Sequence, residues 1–520
     1  MRVLFIDEYL PQEMLGIMWL SRAIKDAGHE CQALFIPDKD WLEKVKKFDP
    51  DVVCYSVTTG MHLYFADVNS KVKQVVPRAF SVFGGPHPTF SPEYVETEGI
   101  DSVCRGEGEH AIVDLLNRMR DGRDINDCEN FWIKDAKTGE IHKNPQRPLA
   151  NLEELGFPDR DIVYEAGAIY RNTDRKVFVS QRGCPMPCTF CFHHAWKKKV
   201  YNVRNSEYVR KRSVGHVIDE INAVRAKYPL KFVHFVDDIF NLRNDWLEEF
   251  SERYPKEVGL PFDVILMANM TTEKHIEQLK KAGCVYARIA FEAASDHVRN
   301  AVFKKHTTRQ QLTDAAGWIK KYGIRLGSLN MLGGPGGTIE DEFETVKLNI
   351  ECDVDHPLAS IMQPYPQFDI ADMAKDMGYA VAAYDEFPEK FNRTSSILFE
   401  NKREIENLHK LFPMLVRYPW LMPLAPKAIR LKFMAKPYLI LYMLYSEWMV
   451  AEQAKIYSRA QGLSGPRYWT LTDFVYRLGT KGVLRVYEVF FARYIDRFFA
   501  PRQLRLALQM GDERVVAHID

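Results

Sequence analysis

Gln181-Arg182-Gly183-Cys184-Pro185-Met186-Pro187-Cys188-Thr189-Phe190-Cys191-Phe192 decides how this chain is read. Three thiols, Cys184, Cys188 and Cys191, stand with three residues between the first pair and two between the second. Thiolates are the ligands that iron–sulfur clusters select, and a cubic 4Fe-4S cluster ordinarily takes four of them. With three, one iron stays open, and an open iron is a place for chemistry as well as for electron transfer. The competing reading is a zinc site completed by His193 or His194, because zinc accepts mixed Cys and His sets. A structural zinc site ordinarily adds a second ligand pair further on. No such pair follows, so the cluster is the stronger reading.

The same residues carry a family resemblance. The Cys-x3-Cys-x2-Cys spacing, with the aromatic Phe190 before the last cysteine, resembles the hallmark of the radical S-adenosylmethionine (SAM) superfamily. The resemblance implies that the amino and carboxylate groups of SAM chelate the open iron. It implies that one electron then cleaves SAM to methionine and a 5'-deoxyadenosyl radical, with an external one-electron donor such as flavodoxin or ferredoxin.

Outward from the motif, apolar runs alternate with amphipathic stretches at 176–180, 232–236, 262–267, 285–291, 324–332 and 359–364. Six strand–helix units fit the partial (β/α)6 barrel of the radical SAM family, and barrels place chemistry at strand carboxyl ends. Asp237 and Asp238 close the second of these strands, where carboxylates can bind an ammonium or a ribose hydroxyl; a helix cap is the alternative. Glu292 ends the fourth strand in a run that is similar to the family's Gly-x-Glu-Ser pattern, with alanine in place of the glycine and first serine. Gly333, Gly334 and Pro335 follow the fifth strand and resemble the glycine–proline turn where the adenine end of SAM packs. Arg212-Ser213, Lys304-Lys305 and Arg309 occupy family-like positions, or else form a solvated charged face. Gln363 to Asp369 departs from the family's Pro-Gly-Thr.

Before the motif the same alternation runs from Arg2, and strand–helix alternation with buried strands means a doubly wound parallel sheet. Ligands of such sheets sit beyond the strand carboxyl ends. Those ends carry Asp7-Glu8, Ser56 to Gly60, Gly84 to Pro88, and Gly106-Glu107-Gly108-Glu109. Small residues there let a bulky ligand approach the backbone. Together and ahead of a radical SAM barrel they resemble the cobalamin-binding domain of the cobalamin-dependent radical SAM class. In that class Ser56, Thr58, Gly84, Gly85 and Glu107 would line the cobalamin site, and Glu13 to Gly16 would face the lower side of the corrin. Asp7 is followed by Glu8-Tyr9-Leu10-Pro11, with no histidine until His29, so the Asp-x-His-x-x-Gly motif is missing and cobalamin is expected without a histidine ligand.

The expected organisation is α/β: a Rossmann-like cobalamin-binding domain over 1–143 closed by a hairpin at 129–143, a proline-punctuated linker at 144–174, the barrel over 175–370, and a helical C-terminal domain over 371–520. The 70 Lys and Arg balance 70 Asp and Glu, so no global charge argues for nucleic acid. The other six of nine cysteines are scattered in apolar runs and read as reduced core residues, as in the cytoplasm. No secretory leader is evident after Met1. The most apolar run, Lys432 to Tyr445, is broken by Lys436-Pro437 and falls short of the about 20 residues that span a bilayer. It reads as a core helix, or as a greasy lid or membrane-surface contact rimmed by Arg417, Lys427, Arg430 and Lys432.

The resemblance thus implies a radical SAM enzyme with three cofactors (4Fe-4S cluster, SAM and cobalamin) acting on a small, hydrophobic substrate. The first expectation is methyl transfer to an unactivated carbon through the deoxyadenosyl radical and methylcobalamin. The alternatives are oxidative ring closure, as in the anaerobic magnesium-protoporphyrin ester cyclases, and a non-catalytic corrinoid module.

Overall fold

A computed structural model of the chain describes residues 1–8, 13–36, 40–383, 386–388 and 394–460. The N-terminal strands are β1 (Arg2–Glu8), β2 (Glu30–Ile36), β3 (Val52–Ser56), β4 (Phe80–Gly84), β5 (Ser102–Cys104), β6 (Phe131–Lys134) and β7 (Ile141–Lys143). They form one sheet in the order β2-β1-β3-β4-β5-β6-β7, parallel through β5 and antiparallel beyond. The doubly wound pattern is visible residue by residue in β1. Val3 and Phe5 join the core under the helices Leu15–Asp26 and Glu109–Arg120, while Leu4 and Ile6 join the core under Trp41–Phe48 and His62–Val75. Successive side chains of a strand point to opposite faces, so a strand covered on both faces reads as a continuous apolar run. The hairpin expected at 129–143 is there, and it extends the same sheet.

The second body holds β8 (Arg175–Phe178), β9 (Gln181–Arg182), β10 (Arg210–Lys211), β11 (Phe232–Phe235), β12 (Phe262–Leu266), β13 (Cys284–Glu292), β14 (Arg325–Leu332) and β15 (His356–Ile361). Six of these form an all-parallel open half-barrel in the order β15-β14-β13-β12-β11-β8, and β9 pairs with β10 as a separate ribbon. Phe178, Val233, Phe235, Val264, Ala287 and Leu326 pack outward against the covering helices. The helix Lys402–Arg417 packs on β15 and on the helix Ile339–Glu351, so the helical C-terminal region begins by closing that flank.

A half-barrel leaves edges, and an unpaired strand edge needs partners for its N–H and C=O groups. At the β8 edge both partners come from outside the barrel. The Val177 N–H donates to Glu13 Oε2 at 2.8 Å, and the Val177 carbonyl accepts from Arg160 Nη2 at 2.7 Å. Arg160 also bridges Glu13 at 2.9 Å and Glu220 at 2.8 Å, and Glu220 reaches Arg212 at 2.5 Å. All four side chains are buried. Glu13 is therefore turned into this junction rather than toward a corrin, and Arg212 is a buried ion-pair residue rather than part of a solvated face. The segment 144–174, expected as the linker, supplies the central cation, on a helix Arg160–Ala166 that packs against β2.

Removing one partner of a buried pair leaves an uncompensated charge, at a cost of roughly 3–5 kcal/mol, against about 0–1 kcal/mol for an exposed pair. Arg160→Ala is expected to lose stability in the first range in urea unfolding. Arg253→Ala, which breaks only exposed pairs with Glu249 and Glu257, is expected to stay in the second.

Candidate active site between the two sheets

The cysteine loop leaves β9 through Gly183. This glycine sits at φ 89°, and a Cβ there would lie 2.3 Å from the Tyr208 carbonyl oxygen, so only glycine lets the chain turn into Cys184. The loop is then pinned on two sides. Thr189 donates to the Val302 carbonyl at 2.7 Å, and its own carbonyl accepts from the Ile370 N–H at 3.1 Å. Phe190 meets Phe303 edge to face at 5.0 Å.

Burial pushes the Cys184 thiol up to about 11 and raises Cys188 and Cys191 too, the last also through the neighbouring Cys188 and Cys184. Thiols so placed ionise together only beside compensating cations, which iron supplies. The buried Lys305 adds one positive charge near them and lies 2.9 Å from Glu292. Lys305 is thus another buried charge where a solvated face was the alternative. The zinc reading needed a histidine ligand, but both ring nitrogens of His193 are engaged, by Asp238 at 2.7 Å and the Tyr208 hydroxyl at 2.8 Å. His194 bonds Asp369 at 3.1 Å. Among the described residues no three His, Cys, Asp or Glu side chains converge on a single ion. The donor set fits a cluster held by Cys184, Cys188 and Cys191.

The two carboxylates after β11 have different surroundings. Asp237 is buried and accepts both the N–H and the hydroxyl of Ser180, at 3.0 and 2.5 Å. It locks the ends of β8 and β11 together and is spent on the protein. Asp238 lines the cavity beside the cysteine loop. Glu292 stands at φ 59° beside an irregularity in the β13–β14 register, which sets it against Lys305. Gly333 donates its N–H to the buried Glu342 at 2.7 Å, and a Cβ on Gly334 would meet Phe303 and Val298 at 2.8 Å. Together with Pro335 they form a tight turn against the segment that follows β13.

Two cavities occupy the gap between the sheets. The first, about 400 Å³, has Ser56, Gly84, Gly85 and Gly106 on one wall and Gly183, His193 and Asp238 on the other. The second, about 800 Å³, runs from Asp7, Ser56 and Thr58 to Phe190, Cys191 and Tyr365. Met14 and Ile17 line the larger one, beside the place where Glu13 turns away. Gly85 has φ 95°, and a Cβ there would lie 2.9 Å from both the N and O of Val57, so only glycine lets the turn pack against β3. The Gly84–Gly85 turn and the hydroxyls of Ser56 and Thr58 line the two cavities, and this bare, hydroxyl-bearing wall fits the long nucleotide tail of cobalamin. His29 bonds the Met1 amino group and Asn117 at the opposite end of β1.

Glu107 lines the smaller cavity with the other residues expected at the cobalamin site, and its carboxylate is held by protein. Arg210 binds it through two nitrogens at 2.7 and 2.8 Å, Arg182 reaches it at 3.2 Å, and the Ala150 N–H donates at 3.0 Å. Burial alone would raise its pKa, but Arg210 and Arg182 hold it down at about 2. Arg182 continues to Glu109 at 2.6 Å and lies 4.6 Å over the Trp19 ring. No motif announces this clamp, because its charges come from residues 107–109, 182 and 210; the one signal was the position of Gly106 to Glu109 at a strand carboxyl end.

Asp7 is pushed up to about 7, chiefly by burial and against the N–H of Glu8 that it accepts. Its pKa is 3.8 when unperturbed, so between these values folding favours the protonated form. The penalty for the folded state grows as pH rises from 3.8 to about 7 and stays constant above. Asp7→Asn is therefore expected to match the parent in urea unfolding below pH 3.8 and to exceed it by about 2–4 kcal/mol above pH 7. Gly85→Ala is expected to lower retained corrinoid at least about tenfold, with iron content unchanged, in absorbance and iron assays after desalting.

Comparison with known proteins agrees with this division of labour. Residues 2–116 match the B12 binding domain and residues 178–348 match the Radical SAM superfamily. The chain is 31% identical over 367 residues to the uncharacterized methyltransferase PH0819 of Pyrococcus horikoshii, covering 68% of this chain and 76% of that one. It is 27% identical over 369 residues to the anaerobic magnesium-protoporphyrin IX monomethyl ester cyclase of Rubrivivax gelatinosus, covering 68% of this chain and 63% of that one. The fold is similar to that of the radical SAM methyltransferase TsrM of Kitasatospora setae, with a TM-score of 0.61 and 17% identity over 74% of this chain and 80% of that one. The two domain matches and the PH0819 relationship, with the three-cysteine loop across the cavities from the glycine turn of the N-terminal sheet, place this chain in the radical SAM superfamily, among the enzymes that carry a B12 binding domain and work with a 4Fe-4S cluster, SAM and cobalamin.

Proposed function

We propose that this enzyme transfers a methyl group from SAM to an unactivated carbon of a small apolar molecule. One observation carries the reading: Cys191 of the cluster loop and Ser56 and Thr58 of the corrin cradle line the same cavity of about 800 Å³. With the cofactors bound against those two walls, a substrate would occupy the part of this cavity that lies between them. When bound, the cluster and SAM supply a hydrogen-abstracting radical, and cobalamin supplies the methyl group. The chain's own part is positioning and exclusion. Phe190, Phe192, Phe90, Phe368 and Tyr365 make the wall apolar and keep water from a reactive centre. Asp238, hydrogen-bonded to His193, is one of the polar groups that line the smaller cavity, where it can accept from an ammonium or a ribose hydroxyl. The names of PH0819 and TsrM as methyltransferases support the same reading. Reduction is assigned to an external one-electron donor of the flavodoxin or ferredoxin kind.

The similarity to the Rubrivivax cyclase favours a second reading, oxidative ring closure without methyl transfer. The two differ in what becomes of SAM. Methyl transfer of this kind consumes one SAM as methyl donor and a second as radical source, so S-adenosylhomocysteine and 5'-deoxyadenosine both form. The full-length protein, reconstituted anaerobically with iron, sulfide and hydroxocobalamin and reduced with titanium(III) citrate, is expected to release S-adenosylhomocysteine from methyl-labelled SAM, with label retained on the corrinoid. Deoxyadenosine and methionine alone would sink methyl transfer and leave the cyclase chemistry. Cys188→Ala is expected to abolish deoxyadenosine formation and to leave corrinoid retention intact.

A further inference from the structure

Between Asn407 and Ser446 the chain has no Asp or Glu, although acidic and basic residues balance over the whole sequence. Within this stretch Tyr418 to Met434 runs as two 3-10 turns, Pro419–Leu424 and Lys432–Met434, about a short helix Ala425–Ala428. The segment is fixed from beneath. Ala425 and Ile429 are buried against the helix Lys402–Arg417, with Leu421 and Met422 packed beside them. The Ile429 carbonyl accepts from Asn407 Nδ2 at 2.8 Å, and the Ala428 carbonyl accepts from the Tyr438 hydroxyl at 3.1 Å. The inward positions are thus already filled by apolar side chains. A second apolar set faces out: Trp420 is 72% exposed, Leu424 61% and Phe433 75%, with Tyr418 and Leu431 beside them in sequence. Lys427, Arg430 and Lys432, all exposed, alternate with them, and Arg430 has Glu404 at 3.6 Å.

We propose that this face docks on a membrane surface containing anionic lipid, independently of which reaction the enzyme performs. Charge complementarity selects an anionic partner, since cations stand among the apolar tips and the stretch carries no acid. The shape selects a lipid surface. The apolar groups are separate tips on proline-bounded turns, which suits insertion between headgroups, and tryptophan favours that interfacial depth. Basic side chains at the rim then meet the negative leaflet. No helix among the described residues is long and apolar enough to cross a membrane, so the contact is peripheral.

The test uses full-length protein, reconstituted as above, pelleted with vesicles of phosphatidylcholine alone or mixed with phosphatidylglycerol. Binding is expected to the mixed vesicles, to weaken with added salt, and to fall at least about tenfold in Trp420→Ser/Phe433→Ser and in Lys427→Glu/Lys432→Glu. Melting temperature and iron content of both variants are expected to equal those of the parent, because the replaced side chains are exposed. Failure of the parent to bind mixed vesicles overturns the proposal, as does equal binding by parent and variants. If sedimentation velocity shows a self-associated parent that becomes monomeric in Trp420→Ser/Phe433→Ser, without vesicle binding, the face belongs to a second copy of this chain and the proposal fails.

Discussion

The junction of Glu13, Arg160, Glu220 and Arg212 is the constraint on which the two-sheet arrangement depends. An open half-barrel exposes the backbone of β8, and the Val177 N–H and carbonyl are satisfied by Glu13 and Arg160. Those two side chains come from the N-terminal domain and the connecting segment, so closing the barrel edge and docking the domains are one event. Alternating buried charges cost desolvation that their mutual attraction offsets only when the geometry is good. Here burial would raise Glu220, yet Arg212 and Arg160 hold its carboxyl below the usual range. The pairing also sets orientation, because a guanidinium with fixed donors accepts only a narrow range of carboxylate positions.

A second clamp repeats the logic nearer the chemistry. Glu107 and Glu109 follow β5, and Arg182 and Arg210 are register partners on the β9–β10 ribbon. The glycines around Glu107 leave room for Tyr201, Gln146 and Leu20 to close on it, while its carboxylate grips the ribbon that leads into the cysteine loop. The corrin cradle and the cluster loop are therefore two sides of one ionic joint, with the shared cavity between them.

What could be read from sequence follows from how local the physical signal is. The cysteine spacing and the continuous apolar runs are signals within a dozen residues, and the half-barrel and the doubly wound sheet are legible from them. The junction is not, because Glu13, Arg160 and Glu220 are far apart in sequence and each is an ordinary charged residue in its own neighbourhood. For the same reason nothing in the local sequence shows that Glu13 turns into the junction, that Arg182 and Arg210 hold the Glu107 carboxylate, that Arg212 and Lys305 are buried, or that the segment 144–174 supplies Arg160 to it. Asp237 and Asp238 show a finer limit. Neighbouring residues at a strand end diverge by direction alone, so one becomes a structural acceptor for Ser180 and the other faces the cavity. Residues 461–520 of the expected helical C-terminal domain lie outside the described residues.

Arg182 stands two residues before Cys184, with its charge neutralised by Glu107 and Glu109 of the other domain and its plane against Trp19. The catalytic barrel is consequently not a free-standing module. Excised from its partner it would keep all three cysteines but lose the anchor that presents the first of them, with the Arg182 guanidinium released to solvent. A replacement N-terminal domain would have to bring carboxylates to Arg182 and Arg210, even though each half has a core of its own.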